Sequence, residues 1–188
     1  ASSGASSQVF PPEGSKLNYR IIGFSFPVKQ RGDNYTIEVA KGNFNSEDSF
    51  SRNIILTLNS PGGSVMSELP SFGTQYTWRM KKNNDAAGKR FHHFSTGTCD
   101  AVDTSKVRLR ILKSAEKYKD AFVFLDGNKV LYDMQGHPVW YLPDVDSLDV
   151  GRIDIRDIKL SPFNTITFMA PDKIYEINFN DYTCQFKS

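Results

Sequence analysis

Three runs between Ser64 and Leu112 alternate strictly in side-chain character: YTWRMKK (76–82), RFHHFS (90–95) and KVRLRIL (106–112). Successive side chains of an extended chain point to opposite faces, so this period of two predicts half-buried β-strands and excludes an amphipathic helix over the same residues. In the first run Tyr76, Trp78 and Met80 share one face, opposite Thr77, Arg79 and Lys81. In the third, Val107, Leu109 and Ile111 oppose Arg108 and Arg110. A sheet built from these strands carries a cationic surface bordered by aromatic rings.

The rest of the chain repeats the pattern in shorter pieces. Residues 19–28, 35–40, 53–59, 121–125, 129–133, 138–142, 152–160, 165–169 and 173–179 carry alternation or enrichment in β-branched and aromatic residues. Turn-forming clusters separate them, namely Ser60-Pro61-Gly62-Gly63, Asp126-Gly127-Asn128, Gln135-Gly136-His137-Pro138 and Ala170-Pro171-Asp172. The best hairpin is AFVFLDGNKVLYD, where Asp126-Gly127 is flanked by apolar alternation on both sides. Helical stretches are short, such as 114–119, and no crossover is long enough to join parallel strands. The expected fold is therefore all-β, an antiparallel two-sheet sandwich of the jelly-roll (concanavalin A-like) type. With 188 residues and 39% hydrophobic composition, one core is affordable. The expected organisation is a loose tail over residues 1–14, ending at Pro11-Pro12-Glu13-Gly14, and a single domain over 15–188.

A formal net charge of +2 is too small to imply nucleic acid, and no apolar run approaches the roughly 20 residues a membrane-spanning helix needs. The small-residue opening ASSGASS reads as a mature N-terminus, and Asn34-Tyr35-Thr36 is a glycosylation sequon; together they lead to an expectation of a secreted glycoprotein. Cys99 and Cys184 are expected to form one disulfide closing a long loop, two separate buried thiols being the alternative. An Arg31-Gly32-Asp33 triplet precedes the sequon, a match short enough to arise by chance.

The order Ser-Glu-Leu, Phe-Gly-Thr, Tyr-Thr-Trp-Arg-Met-Lys, then Arg-Phe-His-His-Phe and Val-Arg-Leu-Arg-Ile resembles the central part of jelly-roll polysaccharide lyases of the alginate and glucuronan type. The likeness covers about a quarter of the chain, and Met66, Pro70 and Thr96 stand where that family favours arginine, arginine and glutamine. It implies β-elimination on a uronate polymer, which requires neutralising a carboxylate, removing the C5 proton and protonating the leaving oxygen. On that reading Arg79, Lys81, Arg108 and Arg110 supply cations, Tyr76 or Tyr141 the acid, and His92 or His93 the base. Adjacent residues on a strand face opposite ways, so only one histidine serves; His93 matches the family's position. The plainer alternative is that His93 packs or hydrogen-bonds, and that the basic residues form a solvated strand face.

Aromatic residues divide similarly. Trp78 reads as core, whereas the pair Trp140-Tyr141 must turn one member outward and offers Trp140 as a sugar contact. The loop Asp144-Val145-Asp146-Ser147-Leu148-Asp149 presents oxygens of the kind calcium takes, with a solvated turn as the alternative; no other cofactor is expected. His137 has no partners at zinc spacing, and no P-loop, dinucleotide fingerprint or Gly-x-Ser-x-Gly elbow occurs. Two classes of function remain: recognition of an acidic polysaccharide, with or without lyase activity, and a non-catalytic lectin-like, protein-interaction or structural β-sandwich.

Overall fold

A computed structural model describes residues 9–28, 34–82, 90–113, 116–145, 148–163, 165–171, 173–179 and 182–187. The chain divides into two compact units, Ala1–Thr98 and Cys99–Ser188. Both are built from short, mostly antiparallel strands, in keeping with the all-β expectation.

The first unit contains β1 (Ser15–Leu17), β2 (Ile21–Ser25), β3 (Asn34–Lys41), α1 (Glu47–Arg52), β4 (Ile54–Pro61), β5 (Ser64–Glu68), β6 (Gln75–Lys82) and β7 (His92–Thr96). A five-stranded sheet runs β1-β7-β6-β3-β4, and a two-stranded sheet pairs β2 with β5. Among the described strand pairs only β1 against β7 is parallel. The turn between β4 and β5 is SPGG, with Gly62 and Gly63 at φ 78° and 84°; a Cβ on Gly63 would sit 2.3 Å from Val28, so glycine is required there.

Alternation sets the core of this unit. Tyr35, Ile37 and Val39 of β3, Tyr76 and Trp78 of β6 and Phe94 of β7 turn toward Ile22 and Phe24 of β2. Phe24 meets Trp78 edge-on at 5.3 Å and Phe94 at 6.1 Å. The opposite face of the five-stranded sheet is covered too. Helix α1 starts at Ser46, whose hydroxyl caps the Ser49 N–H, and lays its buried Phe50 against that face. The sequence reading missed α1, because six residues carry no periodicity to detect.

Residues 9–14 also join the fold. Phe10 exchanges two backbone hydrogen bonds with Ser25, and the Gly14 N–H donates to the His93 carbonyl at 2.7 Å.

The second unit holds two sheets. β8 (Phe122–Leu125), β9 (Val130–Asp133) and β10 (Pro138–Tyr141) form one, in the order β10-β9-β8; β11 (Arg156–Leu160), β12 (Thr165–Ala170), β13 (Lys173–Asn178) and β14 (Cys184–Lys187) form the other in sequence order. The Asp126-Gly127 hairpin forms as expected, with Leu125 paired to Val130 and Lys129 at φ 57° closing the turn. The run 106–112 is not a strand: it pairs with no strand among the described residues. β9, at the centre of its sheet, already has a neighbour on each side. Cys99 and Cys184 are not joined by a disulfide; Cys99 opens a single 3-10 turn, whereas Cys184 lies in β14 opposite Ile177.

Trp78 is completely buried, yet its indole N–H has no acceptor among the described residues. Trp78→Phe keeps a ring against Phe24 and removes that donor, so it should cost under about 1.5 kcal/mol, whereas Trp78→Ala should cost about 3–5 kcal/mol. Urea unfolding of the two variants measures the difference.

Candidate functional site

The polar face of β6 and its neighbours in the first unit is where the expected lyase residues cluster. β3 and β6 pair so that Glu38 stands directly opposite Arg79 and Thr36 opposite Lys81. Glu38 therefore reaches both cations. Its Oε2 accepts from Arg79 Nε at 2.7 Å and its Oε1 from Lys81 Nζ at 2.6 Å. Arg79 also bonds Glu47 of α1, and its guanidinium lies 4.6 Å from the centre of the Phe50 ring and 5.8 Å from that of Phe91. Arg79 is only 4% exposed. Burial opposes ionisation of Glu38, but hydrogen bonds and charge from Lys81 and Arg79 outweigh it and hold the carboxyl below the usual glutamate range.

His93 lies one strand over on the same face, opposite Thr77. Its Nδ1 faces Glu13 Oε1 at 2.9 Å and its Nε2 faces the Phe44 carbonyl at 2.9 Å. Both ring nitrogens thus face protein oxygens. Glu13 accepts from the His93 backbone N–H as well, at 3.1 Å. Burial raises its pKa, yet the hydrogen bonds from His93 bring the carboxyl below its ordinary value. Thr77 completes the stitching, donating to the Gly42 carbonyl at 2.8 Å and accepting from the Phe44 N–H at 2.9 Å. Beside this face lies a shallow depression of about 120 Å³ lined by Gly14, Asn43, Gln75, Tyr76, His93, Phe94 and Ser95.

His92 points the other way, its ring centre 4.9 Å from that of Trp78 with the planes tilted by 30°. Burial first, then the nearby charges of Arg90 and His93, lower its pKa against the pull of Glu13. Tyr76 also belongs to the core face, opposite Phe94, and not to the face of His93. Its hydroxyl donates to the Ser71 carbonyl at 3.0 Å, and burial raises its pKa. The site as laid out by the sequence is therefore brought together only for Arg79, Lys81 and His93, each engaged by a carboxylate.

The remaining candidates lie in the second unit. Trp140 and Tyr141 are both buried, where alternation places one outward; the register of β10 shifts between Pro138 and Trp140, and all four side chains of the strand are covered. Trp140 donates from Nε1 to the Tyr182 hydroxyl at 3.2 Å and stacks on Phe179. The Tyr141 hydroxyl is pushed up to about 12 by burial, reinforced by Cys99, Tyr182 and Asp144 nearby. Trp140 is thus core and presents no face for a sugar.

Arg108 and Arg110 are exposed. Arg108 Nε donates to the Thr104 carbonyl at 2.9 Å, a neutral partner, and no carboxylate lies against it among the described residues. Lys106, in contrast, is held by Asp100 at 2.6 Å and lies 4.0 Å from Asp103.

The acidic loop is occupied by its own chain. Asp144 accepts from the Val150 N–H at 2.8 Å and Asp149 pairs with Arg152 at 3.1 Å, while Asp146 lies outside the described residues. Among the described residues no three His, Cys, Asp or Glu side chains group as metal ligands. Asn34 is exposed at the start of β3, and the Arg31-Gly32-Asp33 triplet lies outside the described residues.

No family model, curated protein or solved structure matches this chain. Its chemistry is read from geometry alone.

Sequence reasoning missed Glu38, Glu47, Glu13 and Phe50. Glu38 had a signal: it is the single acid within the otherwise apolar or neutral run YTIEVA, at the parity that faces a basic strand.

Removing one partner of a buried pair leaves the other charge uncompensated, so Arg79→Met should destabilise the protein by about 3–5 kcal/mol. Adding Glu38→Gln to Arg79→Met should recover part of that loss. Because Glu38 and Glu13 have folded pKa values below their unfolded ones, their contribution is complete above the ordinary glutamate range and is lost as pH falls through it. Thermal melts between pH 7 and pH 3 should show the decline, and Glu38→Gln should flatten it.

Proposed function

We propose that this chain is a non-catalytic recognition protein that holds a polyanionic partner on the basic segment at residues 106–113. One observation carries the reading: Arg108 and Arg110 are exposed cations with no carboxylate against them among the described residues, whereas Arg79 and Lys81 are neutralised by Glu38. A base for proton abstraction must present a nitrogen to the substrate, and both nitrogens of His93 are turned to protein oxygens. Tyr76, the expected acid beside it, belongs to the opposite face. Export belongs to this reading, supported by the exposed Asn34 of the sequon.

A second reading keeps the acidic polysaccharide as substrate of a jelly-roll lyase. It is favoured by the depression beside His93, whose Asn43, Gln75 and Ser95 offer hydrogen-bond partners to sugar hydroxyls. Catalysis there requires His93 to leave Glu13 or the Phe44 carbonyl when substrate binds.

Incubation with polygalacturonate or alginate separates the two. The recognition reading predicts no ultraviolet-absorbing unsaturated product, and salt-sensitive retention on an immobilised polyuronate. Two exposed ionic contacts at about 0.5–1 kcal/mol each imply a loss of affinity of roughly tenfold in Arg108→Ala/Arg110→Ala. Product formation that His93→Ala abolishes establishes the lyase instead. Retention unchanged in the double arginine variant removes the segment from the site.

A further inference from the structure

We infer that residues 107–112 form a strand held in waiting, which binds an acidic, extended polypeptide by adding it edge to edge through backbone hydrogen bonds. This rests on the polyanion reading above and names its partner class. Four observations converge on it.

The first is local. KVRLRIL has the composition and alternation of a strand, and the chain keeps that period although no strand pairs with it. Val107 and Leu109 are half-buried while Arg108 and Arg110 are exposed. A Cβ on Gly136 would lie 3.3 Å from Leu109 Cβ and 3.5 Å from Ile111 Cδ1, so these alternate residues sit on one side, against the 133–137 turn.

The second is the backbone. The Val107 N–H donates to the Asp103 carbonyl at 2.9 Å; beyond it, none of the backbone groups of residues 108–112 bonds to another backbone group among the described residues. A row of open amides and carbonyls on a strand-like segment is the template that strand addition uses.

The third is apolar surface. Ile111 is 44% exposed and Leu112 is 85% exposed, next to one another at the end of the segment. An added strand would cover Ile111 with its own alternate apolar residues, while Leu112 lies on the arginine face.

The fourth is charge, and it selects the occupant. Arg108 and Arg110 are separated by two strand residues, about 7 Å, which is also the spacing of acidic residues at every second position of a partner strand. The acids flanking the segment, Asp100, Asp103 and Glu116, are engaged with Lys106, Ser105 and Lys119, and among the described residues no carboxylate lies against Arg108 or Arg110. A second copy of this chain is a poor occupant, because pairing the segment with itself sets arginines against arginines.

Three probes decide the matter: the peptide acetyl-(Glu-Val)4-amide, its analogue N-methylated at every residue, and a galacturonate oligomer of equal charge. Affinities are measured by titration calorimetry on the intact protein, and amide exchange of residues 108–112 is followed by NMR with and without each probe. Strand addition predicts that the first peptide binds at least tenfold more tightly than the other two and slows exchange at 108–112. It also predicts that Arg108→Glu/Arg110→Glu loses that affinity and gains acetyl-(Lys-Val)4-amide. Equal binding of all three probes with no added protection overturns strand addition but leaves the polyanion reading standing. Binding of none overturns both. A dimer in light scattering without any probe, protected at 108–112, makes a second copy the occupant and overturns the acidic peptide.

Discussion

The Arg79 guanidinium fixes the second face of the first unit. It bonds Glu38 on β3 and Glu47 on α1, and it sits over the rings of Phe50 and Phe91. Without it, a short helix with one buried side chain has little to hold it to the sheet. With it, the sheet is covered on both sides, and Arg79 becomes interior structure while Lys81 stays partly exposed. An ion pair of this kind adds little net stability over an apolar replacement, yet breaking it strands a buried charge. It therefore specifies where α1 docks more than it strengthens the fold.

That arrangement changes the meaning of a basic, alternating strand. Arg79 and Arg108 sit in runs that look alike as sequence. One run found a strand partner with a glutamate directly opposite; the other has none among the described residues and leaves Arg108 and Arg110 exposed. The difference lies in residues distant in sequence: Glu38 is 41 positions from Arg79, whereas Asp100 and Asp103, the acids beside the third run, engage Lys106 and stop there. On the proposed reading, the engaged strand is structural and the segment at 106–113 is the part that meets a partner.

Most strands were legible because period two survives in a single sequence: β3, β4, β6, β9, β12 and β13 fall where alternation placed them, as does the hairpin at Asp126-Gly127. β1 and β14 are three and four residues long and carry too few positions for a pattern. The core role of Trp78 was readable from its parity. Trp140 and Tyr141 were not, because a register shift in β10 breaks the rule that neighbours face opposite ways. Of the site, sequence located the basic residues and His93 but not their counter-ions, since pairing register between strands is written in no local motif. For the same reason Cys99 and Cys184 suggested a bond the fold does not make.

Residue-resolved hydrogen exchange on the free protein reads the two fates of the alternating runs directly. The account predicts that amides of Gln75–Lys82 exchange among the slowest in the chain, close to the global unfolding limit, while those of residues 108–113 exchange nearly as fast as in an unfolded peptide. Equal, strong protection of both runs would contradict it, because residues 108–113 would then already hold a partner strand.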